Sequence, residues 1–111
     1  MSEPAKHTVE GQAAGTKVEL DAQGPVTLKM VYCLNTVAAV SYFQVFFRKA
    51  ADVTVGSTVP DLSFGIPASA AFSMPIPSNG IRRGGNGLTV AGTTTREGST
   101  GAAVDFNIAW N

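Results

Sequence analysis

Apolar residues recur at every second position through much of this chain, and that period points to one kind of element. From Val104 onward, Val104, Phe106, Ile108 and Trp110 alternate with Asp105, Asn107 and Ala109. A pleated strand turns successive side chains to opposite faces, so this spacing gathers one apolar row on one side. A helix of 3.6 residues per turn would scatter the same row round its circumference. The pattern predicts an apolar-in, polar-out strand that carries this last segment into the core.

The same reading extends upstream. Val26, Leu28, Met30, Tyr32 and Leu34 alternate with Thr27, Lys29, Val31 and Cys33, which predicts a long strand with the first set facing inward. Phe43, Val45 and Phe47 repeat the spacing, but their neighbours Tyr42, Gln44, Phe46 and Arg48 are mixed, as in a central strand covered on both sides. Shorter candidates lie at 17–21, 61–66, 71–76 and 87–95, each bounded by Gly, Pro, Ser or Asn. Leu62, Phe64 and Ile66 are answered by Phe72, Met74 and Ile76 across a small-residue bend at 68–71, as in a hairpin or a corner. Pro67, Pro75 and Pro77 cannot donate to a ladder, which places these pieces at edges or corners.

No stretch of a dozen residues carries the helical period with caps, so helix content is expected to be low. With 111 residues, 44% of them hydrophobic, the chain is long enough for one domain with a real core. Seven or eight short strands in such a chain call for closure, because an open sheet would leave an apolar face in water. The expected class is all-β: a two-sheet antiparallel sandwich, jelly-roll-like, with an immunoglobulin-like sandwich as the competitor. Strand order is not readable from the pattern.

Residues 1–15 are polar, contain Pro4, Gly11 and Gly15, and have Val9 as the one sizeable aliphatic in their interior. They read as a flexible N-terminal arm before a sandwich domain at 16–111, either disordered or ordered against a neighbouring subunit. Residues 1–14 hold no apolar stretch that suits a signal peptide, and no segment approaches the roughly 18 apolar residues of a membrane span. A soluble protein made in the cytosol is expected, and a lone cysteine, Cys33, in an apolar run fits a small core residue there. Eight Lys plus Arg balance eight Asp plus Glu without a long run of either sign, which argues against nucleic acid and membrane as partners.

Catalysis is tested by inventory. His7, the single histidine, falls in the expected arm, where nothing would hold it within reach of a nucleophile. His7 and Cys33 show no zinc-ligand spacing, and no Asp-x-Asp-x-Asp loop offers calcium a site. Paired carboxylates can run glycoside hydrolysis, but two of the eight acids, Glu3 and Glu10, lie in the arm. Glu19, Asp21, Asp52, Asp61, Glu97 and Asp105 sit mostly at strand ends or on polar faces. The chain therefore reads as a non-enzyme with no catalytic residue, cofactor or metal.

Residues 78–87 read SNGIRRGGNG, a loop by composition. A phosphate loop needs Gly-x-x-x-x-Gly-Lys-Ser/Thr ahead of a helix, and neither the lysine nor the helix is there. Arg82 and Arg83 instead suit a carboxylate on a protein partner, and with His7 and Val9 they are the candidate partner contacts. Phe46, Val53 and Val55 are apolar beyond what one row needs, which makes them candidates for self-association, with ordinary core as the plainer reading.

The run YFQVFFRKAADVTVGSTVPDLSFGIPASAAFSMPIPSNGIRRGGNGLTVAGTTT, Tyr42 to Thr95, resembles small structural proteins encoded among the virion genes of tailed bacteriophages. The shared elements are a strand of the form Tyr-Phe-x-Val-Phe-x-Arg/Lys-Lys-Ala at Tyr42 to Ala50 and Val-Gly-x-Thr-x-Pro at Val55 to Pro60. An Ile-Pro-type hairpin at Phe64 to Pro77, a Gly-rich loop at Gly80 to Gly87 and a Thr-rich strand at Leu88 to Thr95 complete them. Within that group the chain is most similar to the small jelly-roll capsid decoration proteins of epsilon15-like tailed phages. The resemblance implies a homodimeric cement or staple, synthesised in the host bacterial cytoplasm, that binds the major capsid protein on the outer surface of the virion and clamps neighbouring subunits. The shared positions are core and turn positions, so no functional residue is carried over. The alternative is a carbohydrate-binding module on a phage head or tail fibre, for which Trp110, Tyr32 and Tyr42 are the aromatics at hand. A fibre-attachment domain would differ by being trimeric.

Overall fold

The computed structural model describes residues 11–12, 17–22, 25–82 and 85–110. Among these residues, nine strands follow one another: β1 (Gly11–Gln12), β2 (Val18–Asp21), β3 (Thr27–Leu34), β4 (Ser41–Phe46), β5 (Leu62–Ile66), β6 (Ala71–Ser73), β7 (Ile81–Arg82), β8 (Leu88–Thr93) and β9 (Asp105–Trp110). A single 3₁₀ turn, Ala50–Asp52, is the helical content of the described residues.

The strands form two antiparallel sheets. One, sheet A, has the order β1-β9-β3-β6, with β7 also on β3; the other, sheet B, has the order β2-β8-β4-β5. This order comes from one long ribbon folded on itself. β1 pairs with β9, β2 with β8, β3 with β6 and β4 with β5. Successive pairs of the ribbon fall in alternate sheets, which is the jelly-roll arrangement. β1 lies inside the segment read as an arm: Gly11 and Gln12 pair with Phe106 and Asp105. Residues 1–10 and 13–16 lie outside the described residues.

The bend at 68–71 is a corner, since β5 belongs to sheet B and β6 to sheet A. β6 ends at Ser73, short of the expected Ile76. Pro75 and Pro77 have no N–H to give, so the edge beside β3 lapses and resumes only at β7, where Ile81 pairs with Leu28.

The core lies between the sheets. Leu28, Val31, Cys33, Phe106 and Ile108 of sheet A meet Phe43, Val45, Ile66, Leu88 and Val90 of sheet B, all fully buried. Phe72, Phe64, Phe43 and Phe106 form a chain of rings through it, with centroid separations of 5.0, 5.7 and 5.2 Å. β4 is central, between β8 and β5, as its two-sided apolar character predicts. β9 keeps its expected faces, with Val104, Phe106, Ile108 and Trp110 buried.

β3 does not keep the single row expected of it. Val26 and Leu28 face the core, but beyond them Val31 and Cys33 do, while Met30, Tyr32 and Leu34 turn outward. The cause is a slip in the β3–β9 register: Leu28 pairs with Trp110 and Met30 with Ala109, so Lys29 is an extra residue. Such a bulge reverses the facing of every side chain after it.

Candidate protein-binding surface

The outer faces of the two sheets are treated differently. On sheet B, Tyr42, Gln44 and Phe46 of β4 and Thr89, Ala91 and Thr93 of β8 point away from the core, and two loops close over them. The loop after β4 lays Val53 and Val55 on Phe46 and Ala91. It is pinned by the Lys17 ammonium, which donates to the carbonyls of Ala50 (2.8 Å) and Val53 (2.6 Å), and by the Ala50 N–H, which donates to the Glu19 carboxylate (2.7 Å). The loop after β8 is held by the Gln44 amide, whose Nε2 donates to Thr93 Oγ1 (2.8 Å) and to the Gly98 carbonyl (3.1 Å). Ser63 Oγ donates to the Arg96 carbonyl at 2.7 Å beside it.

Phe46 and Val53 are 0% and 1% exposed, and Val55 is half-buried against them. With Ala91 they form a small second cluster in which the chain's own loop, carrying Val53 and Val55, covers Phe46, so Phe46 and Val53 have no free surface to offer a second copy.

Among the described residues, none forms such a roof over β3 of sheet A. Met30, Tyr32 and Leu34 are 41%, 38% and 37% exposed on its outer face. Their cross-strand neighbours are short: Ala109, Asn107 and Asp105 on β9, and Ser73 and Ala71 on β6. The row therefore stands above its flanks. Asn107, opposite Tyr32, leaves its side-chain Oδ1 buried without a donor. The ends of the face differ in charge. Asp105 lies opposite Leu34, whereas Arg82, exposed on β7, lies opposite Thr27 at the other end. Lys29 adds a second cation near Arg82, its ammonium 3.4 Å from the Asn79 carbonyl.

Of the residues singled out in the sequence, Arg82 falls on this face, while His7, Val9 and Arg83 lie outside the described residues. The Gly-rich loop contributes elsewhere. Gly85 and Asn86 line an open cleft of about 540 Å³ with Phe47, Arg48, Lys49, Asp52 and Asp61 at one end of the sandwich. Gly85 is there for a backbone contact: a Cβ on it would stand 1.8 Å from the Phe47 carbonyl oxygen. The Phe47 N–H on the same segment donates to the Asp61 carboxylate at 2.7 Å.

Sequence reasoning missed the open face because from Met30 to Leu34 both rows of β3 are apolar, and period alone cannot say which one faces in. The signal available was Lys29, a charge inside an otherwise apolar alternation, and it marks the bulge.

The Trp110 indole and the Cys33 thiol are enclosed. The Trp110 indole is 5% exposed and its Nε1 donates to the Asp21 carboxylate at 3.0 Å, tying β9 to β2 across the sheets. Cys33 is buried, and burial pushes its thiol from 9.0 up to about 12. The folded thiol thus keeps its proton while the unfolded one gives it up, so the stability present below the ordinary value is lost as pH rises toward the folded one. Between about pH 9 and 12 this costs up to about 1.4 kcal/mol per unit. Denaturant unfolding at pH 8 and pH 10.5 is expected to show a steeper loss for the native chain than for Cys33→Ala. Equal slopes would mean that the thiol is not enclosed.

Among the described residues, no group of three or more His, Cys, Asp or Glu side chains is placed to hold a metal ion, and no helix is long and apolar enough to cross a membrane. Compared with family models, with curated proteins and with solved structures, the chain matches none.

Proposed function

We propose that this chain is a structural virion protein that decorates the outside of a phage capsid and clamps neighbouring major capsid subunits. The observation that carries the reading is the contrast between the sheets: sheet B is closed by the chain's own loops, and sheet A leaves Met30, Tyr32 and Leu34 in water. An apolar row on a central strand is unfavourable in solvent and becomes favourable once another protein covers it. Two features support an assembly role. The jelly roll is a recurrent architecture of viral shell domains, and the run Tyr42 to Thr95 resembles phage decoration proteins.

The physics of such a role is mass action. A cement protein binds the assembled shell and not its separated subunits, so it stabilises the assembly by the free energy of that binding. Modest affinity at each contact suffices when two contacts engage together, because the second is then intramolecular. Arg82, Arg83, His7 and Val9 are the shell contacts this reading assigns, with the guanidinium groups directed at carboxylates.

The sugar-binding alternative needs exposed aromatic platforms. Trp110 is enclosed and Tyr42 is half-buried beside Gly65, which leaves Tyr32 as the exposed aromatic of the described residues. One platform supports the protein-binding reading better than the glycan reading.

The test is sedimentation of the purified chain with undecorated capsids of an epsilon15-like phage, beside a chain lacking Met1 to Glu10, which leaves β1 in place. Saturable binding, weakened by the truncation, is expected. A folded full-length chain that stays in the supernatant at every ratio would sink the capsid reading, and hits on a glycan array would then favour the alternative.

A further inference from the structure

We infer that the free edge of β5 binds an extended, proline-free segment of a different protein, which adds to sheet B as a fifth strand. This goes beyond the decoration reading and does not depend on it.

A sheet edge presents a row of unpaired N–H and C=O groups, and folds ordinarily blunt such rows with charges, bulges or proline. This chain does so at two other edges. β2, the opposite edge of sheet B, carries Glu19 and Asp21 and slips in register between them. The β6–β7 edge of sheet A is interrupted by Pro75 and Pro77. β5 has none of these devices. Leu62 to Ile66 reads LSFGI, without charge or proline, and pairs with Ser41 to Val45 in unbroken register. Among the described residues, no strand pairs with its other side.

The edge is held in place at both ends. Asn35 Nδ2 donates to the Ile66 carbonyl at 3.1 Å. At the other end the Asp61 N–H donates to the Val45 carbonyl at 2.9 Å, and the Asp61 carboxylate accepts from the Phe47 N–H at 2.7 Å. A strand fixed in this way loses little freedom when it pairs.

The side chains beside the edge set what an added strand must carry. Phe64 of β5 and Phe72 of β6 stand 5.0 Å apart, and with Leu62, Met74 and Ile76 they are only partly buried, so an apolar seam lies open between the two edges. On the outer face the Tyr42 ring lies over Gly65, where a Cβ would stand 3.2 Å from Tyr42 Cε2. An added strand turns alternate side chains to the two faces of the sheet. Its inner row therefore meets the Phe64–Phe72 seam and is apolar, and its outer row runs beside Tyr42 in water and is polar. A row of backbone donors and acceptors is matched by another extended backbone, which makes the occupant a strand. A second copy set edge to edge would bring its own β6–β7 edge against Pro75 and Pro77, which cannot pair, whereas a single extended segment needs the β5 edge alone. The contact is short, about 17 Å for five residues, so binding is weak and reversible.

The probe is a set of synthetic peptides of about ten residues that alternate Val, Leu or Phe with Ser, Thr or Lys, titrated with the full-length chain and followed by fluorescence anisotropy. The best of them is expected to bind, and hydrogen exchange is expected to slow at alternate amides of Leu62 to Ile66. N-methylation of alternate peptide amides separates strand pairing from a loose apolar contact. On the set facing β5 it should weaken binding at least about tenfold, and on the other set it should leave binding within about twofold. Phe64→Lys, an inward-pointing charge on the edge, should abolish binding. Tyr42→Ala, which keeps the seam, should weaken it severalfold, with thermal unfolding confirming that each variant folds. No binding by any peptide up to about 1 mM, equal effects of the two methylation sets, or protection only outside Leu62 to Ile66 overturns the proposal. So does slowed exchange at those amides in the chain alone that rises with its concentration, which would make a second copy the occupant. Peptide binding that appears only after removal of Met1 to Glu10 overturns it too, since the chain's own first residues would then hold the edge. None of these readouts uses a capsid, so the edge site and the decoration reading stand or fall separately.

Discussion

Asn35→Asp is expected to destabilise the chain by about 4 kcal/mol, although it changes one NH₂ group for an oxygen and leaves the side-chain shape alone. Asn35 is 0% exposed and sits where β3 runs out. Its amide Nδ2 faces three carbonyl oxygens, of Ala39 (2.8 Å), Ile66 (3.1 Å) and Pro67 (3.1 Å). Its Oδ1 accepts from the Val37 N–H (3.0 Å) and from Ser41 Oγ (3.3 Å), and its own backbone N–H donates to the Ala70 carbonyl (2.8 Å). One side chain thus ties the β3–β4 loop to the β5–β6 corner. Aspartate would set a carboxylate against three carbonyls with no proton to offer, and a buried charge without a partner is among the costliest changes a fold can meet. Asn35→Ala, which removes the bonds without adding charge, is expected to cost about 3 kcal/mol. Urea unfolding of both variants checks this, and a cost below about 1 kcal/mol for the aspartate would mean that water enters the corner freely.

Asn35 also shows what the sequence could not announce. A single asparagine between an apolar strand and a Thr-Val-Ala-Ala stretch looks like an ordinary turn residue. Its partners Ile66, Pro67 and Ala70 lie more than thirty residues on along the chain, and only the jelly-roll order brings β5 and its corner beside the end of β3. Alternation, by contrast, depends on nearest neighbours alone, which is why β9 and β4 were legible with their burial and why the closed sandwich followed from them. Chain direction within sheets depends on long-range pairing, so the order of the strands was not.

The open face shows a further limit. Met30, Tyr32 and Leu34 have the period of an inward row, and without the extra residue at Lys29 they would be one. A bulge is a one-residue event with a strand-length consequence, because facing has a period of two. Phe46, Val53 and Val55 reverse the case. Surplus to one apolar row, they pack together where the loop carrying Val53 and Val55 closes on Phe46, a closure held by Lys17 and Glu19, which nothing local in the sequence joins to Ala50. Surplus apolar positions identify residues to be covered, and only the fold says whether the chain itself does the covering.

The second large effect follows from the ring chain in the core. Phe106→Ala and Phe43→Ala are each expected to cost about 3 to 5 kcal/mol, since both rings are fully buried and 5.2 Å apart between the sheets. Truncating either one opens a cavity that backbone ladders on both sides prevent from collapsing. The two losses should not add. A cycle through Phe43→Leu, Phe106→Leu and the double variant should give a coupling of about 1 kcal/mol, because each ring contributes to the other's edge contacts. Tyr32→Ala supplies the opposing control on the strand beside Phe106: it lies beyond the bulge and faces water, and its cost should stay within about 0.5 kcal/mol for the monomer. If Tyr32→Ala cost as much as Phe106→Ala in dilute monomer, β3 would have no bulge, its second row would face the core, and the open face would belong to Val31 and Cys33 instead.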